Sequence, residues 1–237
     1  MRLALAYDLR ILKLAKPRID VGLHTNQREP MLAFWQNEVG LPFEELLPMG
    51  RGLQQHRHGL NGSVLKINHA RDPLGVEPPC GYRELWIARP GLVAARRLAD
   101  PDGNVVVLVP PGYEGVSAIG VALAVRDEAS FHDFYGRALE LEPEGPRAYR
   151  CGDSLLRFAH DPSAVPAGRM TASGYRYITI QVFDIDAEHA GILARGGTEG
   201  SPPRTLGSVA RISFVRDPDG NWIEISQRAS LTGPISR

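Results

Sequence analysis

The chain has little cysteine and no excess of charge of either sign. Only two of its 237 residues are cysteine, Cys80 and Cys151, and they do not form a CxxC motif. This usage argues against a disulfide framework or a thiolate metal site and is typical of a reducing compartment. Lys plus Arg and Asp plus Glu each number 27, so the formal net charge is zero. The chain therefore lacks the basic excess of a general nucleic-acid-binding protein.

Long apolar runs are also missing. No stretch of the sequence approaches the roughly 20 apolar residues of a membrane-spanning helix, and the apolar run at 3–7 is too short for a secretory signal. We therefore expect a cytoplasmic protein with no membrane partner. Residues 1–18 are predicted to be an N-terminal extension that forms a short leading helix or is an unnatural addition. The sequence contains no phosphate-binding loop, dinucleotide fingerprint or hydrolase triad signature.

Three patterns occur twice in the sequence, which indicates an internal repeat. They are the strand pattern at 19–25 and 119–125, the aromatic pair at 34–35 and 134–135, and the turn sequence DPDGN at 100–104 and 217–221. The alternation and turn signals around them predict a unit of one strand, one helix and three strands. This unit is complete at about 19–70, 117–161 and 175–227, and a copy at about 82–109 lacks its helix and one strand.

These units predict an α+β fold of tandem βαβββ modules. The predicted domains are a first one at 19–110, with a truncated second module, and a second one at 117–228, followed by a tail at 229–237. Asn61-Gly62 separates two strand patterns and is a strong signal for a two-residue hairpin turn.

The closing sequence FVRDPDGNWIEI at 214–225 resembles the last hairpin of the vicinal oxygen chelate superfamily, which includes glyoxalases, bleomycin resistance proteins and extradiol dioxygenases. The openings DVGL at 20–23 and GVALAVRD at 120–127, each followed by Phe-Trp or Phe-Tyr, are similar to that family's first strand and helix. The resemblance covers about 19–227. It implies two cup-shaped half-barrels, each built by one half of the chain, with the second module of the first half shortened.

The resemblance also implies where a metal would be held. Family members use His, Glu or Gln at one position in the first strand and one in the last strand of each module, and the metal chelates vicinal oxygens of the substrate. Carried over, these positions are Asp20, Lys66, Glu84 and Val107 in the first half, and Gly120, Arg157, Tyr177 and Glu224 in the second. In the second half only Glu224 matches the family pattern. We therefore expect a metal-free second cup in which Glu224 pairs with Arg157 or Tyr177 as a structural or substrate-binding group.

The first half is the richer candidate site. Alternation along a strand places Asp20 with His24, Lys66 with Asn68, and Glu84 with Trp86. We predict Asp20, Lys66 and Glu84 as catalytic residues, because a lysine between two carboxylates suits proton transfer. The predicted substrate-binding residues are His24, Arg57, Asn68, Trp86, Arg157, Tyr177 and Glu224. The alternative for the charged group is a solvated network of salt bridges.

His56 and His58 lie two residues apart on one predicted strand, a spacing that can present two imidazoles to one metal. With Asp20 or Glu84 they would complete a set of ligands for one divalent metal ion, Fe, Mn, Ni or Zn. The alternative is that the protein binds no cofactor. The length of the turn after this strand decides which of its side chains face the cup. A two-residue turn pairs Arg57 with Lys66 and directs Arg57 into the cup, where it can bind an anion, whereas a three-residue loop directs the histidines there.

Two functions follow from these residues. The first is a lyase, isomerase or dioxygenase-like enzyme that acts on a small oxygenated metabolite in the first cup, with or without metal. The second is a metal-free binding or sequestering protein of the bleomycin-resistance type. The expected partner is a small molecule. Because the shortened module leaves one flank of the first cup uncovered, we also expect a homodimer.

Overall fold

The structure, a computed structural model, describes residues 12–235 of the chain. The leading helix predicted near the N-terminus falls largely on residues 1–11, which lie outside the described residues, as do residues 236–237. The helices are α1 (Arg28–Ala33), α2 (Glu128–His132), α3 (Ile185–Ala194) and α4 (Ala229–Thr232). The first two continue into π-helical turns at Phe34–Glu38 and Asp133–Ala138. No helix in this range is long and apolar enough to cross a membrane.

Fifteen strands are present in the described part of the chain. They are β1 (Asp20–Thr25), β2 (Phe43–Gly50), β3 (Leu53–Leu60), β4 (Ser63–Ala70), β5 (Tyr82–Ala88), β6 (Arg96–Ala99), β7 (Val105–Val109), β8 (Ile119–Val125), β9 (Glu142–Pro143), β10 (Ala148–Cys151), β11 (Ser154–His160), β12 (Gly174–Gln181), β13 (Thr198–Leu206), β14 (Ala210–Arg216) and β15 (Trp222–Arg228). The predicted strand–helix–three-strand units are confirmed, and the second unit (β5 to β7) is indeed shortened.

The strands form two mixed sheets, and each sheet takes strands from both halves of the chain. The order is β13-β14-β15-β12-β1-β4-β3-β2 in an eight-stranded sheet and β6-β7-β5-β8-β11-β10-β9 in a seven-stranded sheet. The first module therefore joins the fourth, and the second joins the third. The prediction that each half of the chain builds its own cup is wrong. The domain boundaries at 110 and 117 stay a prediction.

The pairing of the first strands explains this arrangement. β8 follows β7 after a short connection and pairs antiparallel with β5, so the second and third modules complete each other. β1 pairs with β4 along one edge, and its backbone groups need partners along the other edge because the strand is buried throughout. β12 supplies them in an antiparallel ladder that sets Asp20 opposite Thr179 and Gly22 opposite Tyr177.

One apolar core is shared by the two sheets and the helices. Side chains alternate along each strand, so one face of a sheet can be apolar while the other carries polar groups. The apolar faces supply buried side chains to this core from both sheets: Val21, Leu23, Leu65, Ile67, Ile178, Ile180, Ile223, Leu85, Ile87, Val106, Ile119 and Val121. The helices add Met31, Trp35, Phe131 and Tyr135. The opposite face of the eight-stranded sheet remains free to form a site.

The hairpin between β3 and β4 fixes which side chains reach that face. Leu60 pairs with Ser63, so the turn consists of Asn61 and Gly62 alone, and both have positive φ angles of 51° and 83°. Positive φ at both positions is the requirement of a type I′ hairpin turn, which Asn-Gly satisfies. The register pairs Arg57 with Lys66. The two-residue alternative is therefore the one that forms.

Candidate functional site

A cavity of about 430 Å³ opens on the inner face of the eight-stranded sheet. Residues of both edge strands, β2 and β13, line it, so the sheet curls into a half-barrel around the cavity. Its walls are largely apolar and include Leu47, Leu53, Met170, Leu206, Ile212 and Phe214. A mainly apolar cleft of this size with a few polar groups is the usual form of a small-molecule site.

An ammonium–carboxylate pair lies in the wall of the cavity, where Lys66 of β4 reaches across β1 to Thr179 of β12 and Glu224 of β15. Lys66 Nζ is 2.6 Å from Glu224 Oε2 and donates to Thr179 Oγ1 at 2.7 Å. The Thr179 hydroxyl donates to the same Glu224 oxygen at 2.6 Å. The side chains of Lys66 and Glu224 are only 6% and 10% exposed. Buried charges need such partners, so the three groups stabilise one another.

Asp20 lies beside this pair, on β1, and is also fully engaged. Lys16 Nζ contacts its Oδ1 at 2.6 Å, and the Val64 backbone N–H donates to the same oxygen. Gln181 Nε2 donates to Oδ2 at 3.3 Å. Asp20 is 1% exposed and is absent from the lining of the cavity. A carboxylate held in this way balances a neighbouring cation and is poorly placed to take a proton from a ligand.

A hydrogen-bonded row of polar side chains crosses the face from β3 to β12. Arg57 donates to Gln55, Gln55 donates to Asn68, and Asn68 donates to the hydroxyl of Tyr177 at 3.1 Å. Burial, and after it the charge of Glu224, raise the pKa of Tyr177 far above its usual range. The phenol therefore stays protonated, and Tyr177 can serve the cavity as a neutral wall with one polar end.

His24 is a neutral polar group in the wall of the cavity. Its side chain is buried, and burial, with a smaller contribution from Arg176, lowers its pKa to about 4. Within residues 12–235, its Nδ1 has no hydrogen-bond partner, and neither does Oε1 of the buried Gln181, which lines another part of the cavity. Unpaired buried polar atoms of this kind are costly to the folded state.

Cations outnumber anions around the cavity. Arg57, Lys66, Arg204 and Arg228 line it, whereas Glu224 is its only lining carboxylate among the described residues. Lys66 and Glu224 neutralise each other, so the three arginines give the cavity an excess of positive charge.

Comparisons with known proteins agree with this architecture. Residues 119–225 match the family model of the Glyoxalase/Bleomycin resistance protein/Dioxygenase superfamily. The structure of glyoxalase I from Zea mays superposes with a TM-score of 0.66, covering 89% of this chain and 92% of that one at 14% identity. The chain has the vicinal oxygen chelate fold.

Two other solved structures are similar to this chain at comparably low sequence identity. A putative dioxygenase from Bacillus subtilis superposes with a TM-score of 0.65, covering 92% of this chain and 86% of that one at 14% identity. The cppA protein from Streptococcus pneumoniae gives 0.56 over 92% of this chain and all of that one at 10% identity. No curated protein matches the chain in sequence. At these identities the likeness shows the fold alone.

The metal that the vicinal oxygen chelate fold implies does not fit the side chains of the cavity. At the junction of the four central strands, Lys66 places an ammonium group between Glu224 and Thr179, and a metal ion there would be repelled by it. Asp20 is already bound by Lys16. In the part of the chain that is described, no group of three His, Cys, Asp or Glu side chains is arranged to hold a metal ion.

His56 and His58 lie on the face of β3 turned away from the cavity, as the two-residue turn requires. Gln36 of the first helical segment contacts His58 Nε2 at 3.0 Å, and Phe43 packs edge-on against the ring of His58. Burial lowers the pKa of His58 to about 4 and also lowers that of His56. The predicted metal set with Asp20 or Glu84 therefore does not form, because those carboxylates lie elsewhere.

The structure separates Glu84, Trp86 and Arg157 from the other predicted site residues. They lie together on the seven-stranded sheet, where Glu84 accepts hydrogen bonds from Trp86 Nε1 and Arg97. The guanidinium of Arg157 lies 4.6 Å from the centre of the Trp86 ring and pairs with Glu114. The expected clusters of Asp20 and Lys66 with Glu84, and of Glu224 with Arg157, are therefore wrong, because the modules pair differently. Val107 and Gly120 lie on this sheet too.

The remaining predicted residues converge on the cavity, and several that sequence reasoning missed join them. His24, Arg57, Lys66, Asn68, Tyr177 and Glu224 all line it. The missed residues are Gln55, Thr179, Gln181 and Arg228, which contact this group or line the cavity. Each lies two or four residues from a predicted site residue on the same strand. Because residues at this spacing share one face of a strand, the alternation of side chains was the signal that could have found them.

Proposed function

We propose that this protein binds a small organic molecule in the half-barrel of its eight-stranded sheet and that it does so without a metal ion. The observation that carries the proposal is the ammonium group of Lys66, which provides the positive charge at the four central strands β4, β1, β12 and β15 and is held there by Glu224 and Thr179. The apolar walls of the cavity supply the contact surface for the body of the ligand.

A fluorescent apolar probe tests the proposal directly. Protein stripped of metal with a chelator is titrated with N-phenyl-1-naphthylamine, and we expect saturable binding of one probe per chain. Leu206→Trp puts a large side chain into the half-buried wall of the cavity and should weaken binding about tenfold or more, since steric loss of a well-packed apolar contact is worth a few kcal/mol. Val93→Trp, at a fully exposed position, is the matched control.

Elemental analysis completes this experiment. After reloading with Fe, Mn, Ni or Zn, we expect no stoichiometric metal and an unchanged affinity for the probe. Binding that requires a reloaded metal would contradict the proposal. Probe binding that is the same in Leu206→Trp and the unchanged protein would show that the probe occupies another place.

A second candidate function is metal-independent acid–base catalysis in the same cavity. Glu224 favours it, because it is a largely buried carboxylate that faces the ligand space and has a hydroxyl and an ammonium group beside it. A panel of small oxo acids incubated in D2O, with deuterium incorporation followed by NMR, tests this candidate. Exchange that depends on the protein and disappears in Glu224→Gln, while the probe still binds, would favour an enzyme over a binding protein.

A further inference from the structure

Two arginine side chains meet at one end of the cavity. Arg57 comes from β3 and Arg228 from the end of β15, and their side chains are 9% and 22% exposed. Burial, and after it the charge of Arg57, lower the pKa of Arg228. Two guanidinium groups that repel each other in a half-closed apolar site are stabilised by an anion between them.

The described residues use few of the hydrogen-bond donors of this pair. A guanidinium carries five N–H donors, yet the Arg57 side chain donates only to Gln55, and Arg228 makes no side-chain hydrogen bond within residues 12–235. The nearest carboxylate is that of Glu45 on the edge strand β2. Its Oε2 lies 3.5 Å from Arg57 Nε and 3.7 Å from Arg228 Nη2, which is longer than a hydrogen bond.

Glu45 indicates how a ligand would be recognised at this position. It is 47% exposed at the mouth of the half-barrel, opposite Arg57 in the ladder, and a single carboxylate oxygen contacts both arginines. A carboxylate that enters from solvent can contact the same two groups at shorter distances and in a paired geometry, because it is not tethered to the edge strand. Leu47, Leu206, Ile212 and Phe214 supply apolar surface beyond this point.

Resting on the binding function proposed above, we infer that the ligand is an amphipathic organic anion whose carboxylate or similar oxyanion lies between Arg57 and Arg228, with its apolar body along the cavity wall. The carboxylate of Glu45 occupies the arginine pair when the ligand is absent and is displaced when the ligand binds. The cavity volume of about 430 Å³ fits a compact organic acid and not a macromolecule.

A charged and a neutral probe of nearly the same shape test this inference. 8-Anilinonaphthalene-1-sulfonate carries an oxyanion, and N-phenyl-1-naphthylamine is its neutral counterpart. Arg228→Met should weaken binding of the sulfonate about tenfold or more, the effect expected from losing charge-assisted hydrogen bonds. It should leave the affinity for the neutral probe within about twofold, because the apolar walls are unchanged. Rising salt concentration should weaken only the sulfonate.

Variants on the edge strand give the opposite effect and do not threaten the fold. Glu45→Gln removes the competing charge and should strengthen sulfonate binding, whereas Glu44→Gln, the exposed neighbour on the same strand, is the matched control and should not. Equal sulfonate affinity in Arg228→Met, Glu45→Gln and the unchanged protein overturns the inference. If the neutral probe still binds in that case, the proposed binding function stands. Failure of both probes to bind the unchanged protein would refute that function itself.

Discussion

Replacing Lys66 by Met tests whether the ammonium group holds the centre of the half-barrel together. The change keeps a similar side-chain length and removes the charge. It leaves Glu224 buried with the hydroxyl of Thr179 as its remaining close donor. A buried carboxylate without its cation is strongly destabilising, so we expect the folded state to lose most of the stabilisation that this contact provides.

The expected cost is large for a single substitution. Removing one partner of a buried ion pair costs about 3–5 kcal/mol, and the Thr179 hydroxyl that remains favours the lower end of that range. In a chain of this length each kcal/mol lowers the melting temperature by about 2–4 °C. Lys66→Met should therefore lower the melting temperature by roughly 10 °C.

Urea unfolding of four proteins measures the coupling. They are the unchanged protein, Lys66→Met, Glu224→Gln and the double variant, and the double variant should be more stable than the sum of the two single losses predicts. Arg97→Met is the matched control. It breaks an ion pair with Glu84 of similar length, 2.7 Å, in which Arg97 is 61% exposed, and exposed pairs contribute at most about 1 kcal/mol.

Two results would refute this account of Lys66. One is a loss of stability in Lys66→Met no greater than that in Arg97→Met, which would mean that Glu224 is hydrated or finds another partner. The other is strict additivity of the two single variants, which would mean that Lys66 and Glu224 do not stabilise each other.

Three further changes test the surroundings of the site. His24 has a pKa of about 4 in the folded protein against 6.5 unfolded, so its contribution to stability is present above pH 6.5 and is lost as the pH falls towards 4. Urea unfolding at several pH values should show this acid loss reduced in His24→Gln, by up to about 3 kcal/mol, and unchanged in the control His160→Gln, at an exposed position. Gly22→Ala would place a Cβ directly against the Tyr177 ring, and thermal denaturation should show a loss of about 1–3 kcal/mol together with weaker probe binding; an unaltered melting temperature would argue against this close contact. Glu84→Gln should leave the affinity for both probes unchanged, because that residue lies on the other sheet; a tenfold loss of affinity would show that Glu84 belongs to the binding site.

Sequence reasoning went furthest where the signal was local. Asn61-Gly62 predicts a two-residue turn, and that turn alone implies that Arg57 pairs with Lys66 and faces the cavity while His56 and His58 do not. The DPDGN turns are likewise formed by interactions between neighbouring residues. Asp217 accepts backbone hydrogen bonds from Asp219 and Asn221, and burial raises its pKa to about 6.

The composition of the site depended on contacts between distant parts of the chain. Lys66 and Glu224 lie 158 residues apart, and only the pairing of β1 with β12 brings their strands into one sheet. Any first strand of a module can pair with another, because the ladder joins backbone groups that all residues share. Periodicity therefore cannot distinguish the first module's pairing with the fourth from its pairing with the second.

Neighbouring residues and the two-residue period of a strand are sufficient to predict the repeated βαβββ units, the shortened second unit, the Asn61-Gly62 turn, and which side chains of one strand share a face. Which modules share a sheet, and so which charges meet, depends on the pairing of distant strands. That pairing brings Lys66 against Glu224 and Arg57 near Arg228 and leaves Glu84 on the other sheet, because charged side chains of distant strands acquire their partners only when the sheet closes.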